Sequence, residues 1–400
     1  MIKSRLNSLS DNKILIALLL GAPFTEQNYE RIGIPYLKHK FNVVVLDCNT
    51  WLRSGFSELK FSEYDYPYLI KISSAKEFID VISQIKPNYA IDFLGLGRYT
   101  RFIQETLKIY GVKFVVQKTG ALPAPSKKNR IIQGLIKNPK NLIFQLMNKL
   151  VMSRKENRPL PPDISLLAGA KTRDYWTNQS KNILWIASRD YYSYKKVNSE
   201  SKNNNLLALG DYILFIDDAI TVASDIKLLG ISPAMKPEDY YNLLLQAFNN
   251  IEKLVGLPVV IAAHPSTKSL NQYESFFGDR NVYFGITPEL CCHSSLVLSH
   301  ISTALSYAIL WDKPIIILTS KELDRSSWGV EMREWNIQLN CPLLFMEASQ
   351  KQYTDAYQKS KNIDKNKYKL YINNYIKTDE VVEEEPWEEF SRFIQKNNYF

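Results

Sequence analysis

Short, almost wholly apolar runs alternate with helix-length segments along most of this chain. That alternation narrows the fold more than any other feature. Strand-like runs stand at 13–20, 42–48, 68–72, 89–94 and 112–117, with helical periodicity at 25–38, 75–85 and 98–110 between them. Strands that are apolar on both sides belong to a parallel sheet covered on both faces, and strand–helix alternation winds such a sheet in two directions. Runs at 164–167 and 183–187 extend the series, the latter ending in Ser188-Arg189-Asp190-Tyr191-Tyr192. A second series follows: 212–216, a helix at 237–255, then 259–262, 282–284, 296–299 and 315–318. With 400 residues the chain is too long for one ordinary core. The expected fold class is α/β, with two doubly wound Rossmann-like domains. The expected boundaries are 1–200, carrying a basic amphipathic insertion at 125–160, then 206–376, then a C-terminal helix at 377–400 packing back on the body. The Asn-rich stretch Asn198 to Asn205 reads as the linker.

Charge divides the chain further. The net charge is +9, and Lys127 to Arg158 holds nine basic residues against one acid, Glu156. Ile131, Ile132, Leu135, Leu142, Leu146 and Leu150 recur among them at roughly helical spacing, broken near Pro139. Such a segment suits an anionic membrane surface; equally, it reads as a pair of surface helices packing their apolar side on the body. It lacks interleaved aromatics, so nucleic acid is not the expected partner. Asp379 to Glu389 carries seven acids, as a solvated helix start does, with Phe390 and Phe393 placed to dock that helix. The cysteines Cys48, Cys291, Cys292 and Cys341 show no metal-ligand spacing, which fits a reducing compartment. Ile14 to Ala22 resembles a signal-peptide core, but Asp11 before it and Gly21 and Pro23 after it make it a first strand. No run of about 18 apolar residues occurs, so no transmembrane helix is expected.

The chemistry-bearing residues fall just after strands. Pro258 to Ala262 leads into Ala263-His264-Pro265-Ser266-Thr267, and 296–299 leads into His300-Ile301-Ser302-Thr303 before a short helix, Lys313-Pro314 and another strand. Open α/β sheets bind ligands at the carboxyl edges of their strands, and a helix start with hydroxyls suits a phosphate. The expected phosphate- and nucleotide-binding residues are His264, Pro265, Lys268, Glu289, Ser302 and Thr303. Each has a plainer reading: Ser302 as a cap, Lys268 as a solvated lysine, Glu289 as a first-turn acid after Thr287-Pro288. Asp190, Asp217 and Asp218 also follow strands and are candidates for the base that takes an acceptor proton, beside His264 as donor or acid. His293 and His300 read as structural. No Asp-x-Asp occurs, and no metal or other cofactor is expected.

Strand–His-Pro, then strand–Ser-Thr–helix–Lys-Pro–strand, resembles the donor-binding half of bacterial surface-polysaccharide glycosyltransferases of GT-B fold. Within that group it is similar to enzymes using CMP-activated acidic sugars of the nonulosonic acid (sialic) or Kdo type. Bacterial sialyltransferases of this fold share a His-Pro motif, a Ser/Thr motif and an acidic pair, matched here by His264-Pro265, Ser302-Thr303 and Asp217-Asp218. The resemblance covers about half the chain, mostly Asp211 to Ser320. The family's acidic motif ends in Gly and lies in the first domain; here Ala219 follows Asp218, and Asp217 opens the second series. The resemblance implies metal-independent transfer of the acidic sugar to a capsule, lipopolysaccharide or lipid-linked glycan. It implies a cytoplasmic protein, peripheral on the inner face of the membrane if the basic segment touches lipid. The same architecture serves UDP-sugar transferases, hydrolysing sugar-nucleotide 2-epimerases and phosphopolyol transferases, and a non-catalytic scaffold is the remaining alternative. The epimerases put glycines after the strand serine, where this chain has Ser302-Thr303-Ala304.

Overall fold

The structure is a computed structural model that describes residues 13–52, 64–97, 99–120, 123, 158–199, 209–222, 233–268, 270–381 and 385–397. The chain forms two compact units. In its described part the first comprises 13–119, 158–187 and 378–397, and the second is essentially 188–377.

The first unit is built on a seven-stranded sheet of order β3-β2-β1-β4-β5-β6-β7, every pair parallel. Its strands are β1 (Leu15–Leu20), β2 (Asn42–Asp47), β3 (Leu69–Lys71), β4 (Tyr89–Phe93), β5 (Lys113–Lys118), β6 (Ile164–Leu167) and β7 (Asn182–Trp185). Alternation along β1 feeds two cores. Ile16, Leu18 and Leu20 pack with Ile34, Leu37 and Phe390 on one face, and Ala17 and Leu19 with Phe78, Val81 and Ile103 on the other. The C-terminal helix Pro386–Asn397 lies on the first face; Trp387, Phe390 and Ile394 are buried there and Phe393 packs beside them. The helical run read at 25–38 is two helices, Glu26–Arg31 and Ile34–Lys40, parted at Gly33. Gly33 has φ +80°, and a Cβ there would stand 2.3 Å from the Trp387 ring, so only glycine fits both backbone and neighbour.

The second unit has a six-stranded parallel sheet of order β10-β9-β8-β11-β12-β13. Its strands are β8 (Ile213–Ile216), β9 (Val259–Ala263), β10 (Val282–Phe284), β11 (Leu296–Ser299), β12 (Ile315–Thr319) and β13 (Leu343–Phe345). The helix Pro237–Val255 begins with proline and two acids and ends on Gly256 at φ +77°, so its ends are set by local chemistry. The unit begins at Ser188, earlier than the expected boundary at 206. Residues Arg189–Ser199, to which the sequence assigned no helix and whose last two residues fell in the expected linker, form a helix that packs on Thr287–His293 and Leu305–Leu310. The basic stretch 127–157 lies outside the described residues, as do 200–208 of the expected linker. Among the described residues no helix is long and apolar enough to cross a membrane.

Both sheets are α/β, parallel and doubly wound. Their order reverses once each, between β1 and β4 in the first and between β8 and β11 in the second. A reversal leaves a crevice at the carboxyl ends of the two strands, because the connections on either side run in opposite directions.

Candidate functional site

In the second unit the crevice is lined by the residues following β8 and β11, with those following β9 alongside. Asp217 and Asp218 end β8. The Asp217 carboxylate accepts from Ala219 N–H at 2.9 Å, from the Tyr273 hydroxyl and from the backbone N–H of His264. Burial pushes its carboxyl up, against these hydrogen bonds. Ala219 sits at φ +48°, a conformation glycine adopts at no cost. The acidic pair is therefore followed by a glycine-like backbone although alanine stands there.

Asp218 crosses the crevice. Its Oδ2 accepts from the backbone N–H of Ile301 at 2.9 Å and of His300 at 3.3 Å, and from the Ser299 hydroxyl at 3.4 Å. The Ser302 hydroxyl also bonds to it. Loss of solvation pushes Asp218 up to about 7; the Ile301 N–H opposes this and the neighbouring Asp217 charge adds to it. The turn expected to greet a phosphate thus has two of its N–H groups satisfied by a carboxylate of the same unit. Among the described residues, the N–H groups of Ser302 and Thr303 make no hydrogen bond within the chain. The Ser302 oxygen accepts from Ala304 N–H at 3.3 Å, and Thr303 is exposed. The helix itself starts only at Leu305.

His264 ends β9. Its Nδ1 lies 3.3 Å from the Ser266 N–H, which donates to it, and 2.7 Å from the Ser266 hydroxyl. A ring nitrogen that accepts from N–H carries no proton, so the neutral ring bears its hydrogen on Nε2, outside these bonds. Pro265 and Lys268 are exposed on the one-turn helix that follows.

His300 turns away from the crevice. Its Nδ1 bonds to the Leu318 carbonyl at 2.7 Å and its Nε2 to the Tyr240 hydroxyl at 2.9 Å, and burial drives its pKa down to about 4. It is a neutral core residue that stitches the turn to β12. Asp190 lies in the first turn of Arg189–Ser199. The hydroxyls of Ser306 and Tyr307 bond to it, and burial nonetheless pushes it up to about 6. Glu289 lies in the first turn of Thr287–His293, after β10, and its Oε2 is buried without a hydrogen-bond partner among the described residues. Asp217, Asp218, His264 and Ser302 are therefore gathered at one sheet edge. Glu289 and Lys268 flank it, and Asp190 bonds to Ser306 and Tyr307 of the helix that follows the turn. A depression of about 390 Å³ lies at the opposite, amino edge of the sheet, lined by Asn249, Asp279 and the paired Arg280 and Glu252.

The first unit has a carboxylate that sequence reasoning overlooked. Asp92, the fourth residue of β4, is 8% exposed, and it accepts from Leu94 N–H at 2.8 Å and from Gly95 N–H. Burial pushes it up to about 6. It stands at the reversal of that sheet, where Gly21 after β1 approaches the Leu94 backbone so closely that a Cβ would lie 3.2 Å away. The available signal was one acid inside an otherwise apolar strand, Tyr89-Ala-Ile-Asp-Phe93.

No protein-family model matches the chain, and no curated protein does. Among solved structures it is similar to the wall teichoic acid polymerase TagF, at 12% identity over 98% of this chain and 90% of that one, with a TM-score of 0.49. It is similar to MurG of Acinetobacter baumannii, at 8% identity over 96% and 99%, TM-score 0.47. It is also similar to the UDP-GlcNAc 2-epimerase of Methanocaldococcus jannaschii, in complex with UDP-GlcNAc and UDP, at 13% identity over 97% and 100%, TM-score 0.47. Similarity at this level transfers no activity, so what this chain does is read from its own crevices.

Proposed function

We propose that the second unit binds the phosphate of a nucleotide sugar in the β8–β11 crevice, and that the chain is a glycosyltransferase of GT-B type. One observation carries this reading. The N–H groups of Ser302 and Thr303, unsatisfied among the described residues, and the Ser302 hydroxyl follow β11, and the Nε2–H of His264 follows β9, at the same carboxyl edge on either side of β8. Fixed donors of this kind stabilise charge that develops on a departing phosphate, commonly the largest catalytic contribution.

The donor proposed is a CMP-activated acidic sugar of the nonulosonic acid or Kdo type, and the acceptor a surface polysaccharide or lipid-linked glycan. CMP leaves as a single phosphate ester, and three or four neutral donors suit one phosphate. In the transfer the acceptor oxygen bonds to the anomeric carbon. The bond from that carbon to the phosphate oxygen breaks, and CMP departs with its electron pair. The proton of the acceptor hydroxyl passes to a carboxylate. Asp190 and Asp217, carboxylates of the second unit, are the bases proposed; Asp218 is already committed to the 299–302 turn. Glu289, with an unpartnered buried oxygen, is proposed to accept from a ribose hydroxyl. No metal is assigned a role, and the basic segment 127–158 is proposed to meet an anionic membrane surface on the inner face.

Thermal unfolding with CMP, CDP, UDP and GDP, with and without EDTA, tests the reading. A ligand binding only the folded state adds about 2.7 kcal/mol at a hundredfold excess over its Kd. CMP is expected to raise Tm irrespective of EDTA, and Ser302→Ala to reduce the shift. A response to UDP alone would move the chain to a UDP-sugar transferase or 2-epimerase. A response to none of them would leave a scaffold.

A further inference from the structure

The bond between Asp218 and the 299–302 turn has a consequence for how a phosphate enters. Every group that holds this carboxylate belongs to the turn across the crevice: the N–H groups of His300 and Ile301 and the hydroxyls of Ser299 and Ser302. Ser302 is competed for: its single O–H proton goes to Asp218 in the free turn, and the same hydroxyl is among the donors for the incoming phosphate. A phosphate seated on Ser302 and Thr303 therefore comes to rest beside an anion already in the turn. Two anions sharing neighbouring donors repel, and one relieves the repulsion by binding a proton.

We propose that Asp218 is the proton-taking positioning residue of this site: it shapes the turn as a carboxylate, and binding of a phosphate monoester is coupled to uptake of one proton by that carboxylate. The inference rests on the phosphate reading of the crevice and deepens it. Protonated, Asp218 still accepts from Ile301 and gains an O–H that can be donated to the phosphate, so the turn keeps its shape and acquires a donor. The group is poised for this, since loss of solvation and the Asp217 charge already hold it near 7.

The other titratable groups around it are distinguishable. Asp217, beside it in the chain, has its own donors in Ala219, Tyr273 and His264. His300, from β11, is buried and neutral at any pH above about 4. Tyr240 and Tyr273, from the flanking helices, are pushed well above the neutral range. His264, from β9, carries its accepting nitrogen toward Ser266, and a separate variant distinguishes it from Asp218.

The test is calorimetric titration of the full chain with CMP between pH 7 and 8.5, above the second phosphate ionisation of about 6. The Kd is expected to rise with pH, approaching tenfold per unit at the upper end. At pH 7.5, heats measured in buffers of different ionisation enthalpy should report proton uptake of well over half a proton per CMP bound. In Asp218→Asn the profile should be flat, and its affinity should overtake that of the wild type at pH 8.5. In His264→Gln binding weakens but the slope should persist. If Asp218→Asn does not fold, the carboxyl resonance of Asp218 in 13C-labelled wild type gives the same answer: at pH 7.5 CMP should move it to its protonated position. CMP binding with a flat profile and no proton uptake would overturn the proposal alone. A slope that vanishes in His264→Gln would reassign the proton to histidine. Failure of CMP, CDP and UDP to bind at any pH would overturn the phosphate reading, and this proposal with it.

Discussion

The imidazole of His300 accepts from Tyr240 and donates to the Leu318 carbonyl, which fixes it as neutral in the folded chain. An unfolded chain protonates histidine near pH 6.5, whereas the folded ring does so near 4. Between those values the unfolded state binds the extra proton, so stability is full above pH 6.5 and falls as pH drops toward 4. The shift corresponds to up to about 3 kcal/mol. His300→Gln should melt lower than wild type at pH 7 but lose this component of the acid sensitivity, and an undiminished pH slope would contradict the assignment. Asp92 has the opposite sign. Its folded pKa, about 6, lies above that of an unfolded aspartate, so its charge destabilises the fold increasingly as pH rises through that window. Asp92→Asn is therefore expected to be at least as stable as wild type at pH 7, with the difference shrinking as pH falls from about 6 to 4. Thermal unfolding of both proteins between pH 4 and 7 checks this. A wild type more stable than Asp92→Asn at pH 7 would contradict the assignment.

The elements themselves were largely legible in the residues. The apolar runs became the strands β1, β2, β4, β6, β8, β9, β11 and β12 within a residue or two, because a strand covered on both faces leaves no room for polar side chains. The helix Ala75–Ile85 carries its own start signal in Ser74 and Glu77. What stayed hidden depends on distance in sequence. β13 has only three residues, and Arg189–Ser199 is too polar to show a face until its neighbours are known. At the site, His264, Ser302 and the acidic pair could be picked out as residues that follow strands. The bond from Asp218 to the His300 N–H spans 82 positions, and no local pattern encodes it. The split of the 25–38 run at Gly33 likewise depends on Trp387, which arrives from the far end of the chain. Gly33→Ala must relieve both a left-handed backbone and a Cβ overlap with that ring. It is expected to lower stability by about 2–4 kcal/mol and Tm with it. Phe390→Ala, at a fully buried position in the C-terminal helix, should cost about 3–5 kcal/mol. Denaturant unfolding of both variants checks this, and wild-type midpoints would mean that the helix contributes little to the first unit.

The whole molecule repeats one plan: two parallel sheets, each reversing once, each presenting carboxylates at the carboxyl ends of the strands beside the reversal. The donor phosphate is proposed to sit at β8 and β11 of the second sheet. The central claim is therefore best tested on the chemistry itself. CMP release from a CMP-activated nonulosonic acid or Kdo, followed with purified protein and an acceptor glycan, should be detectable in the wild type. Loss of one phosphate donor in Ser302→Ala should slow it by about 10²- to 10³-fold. Release from the wild type at no more than the uncatalysed rate, by a protein that remains folded and binds the nucleotide, would contradict the account.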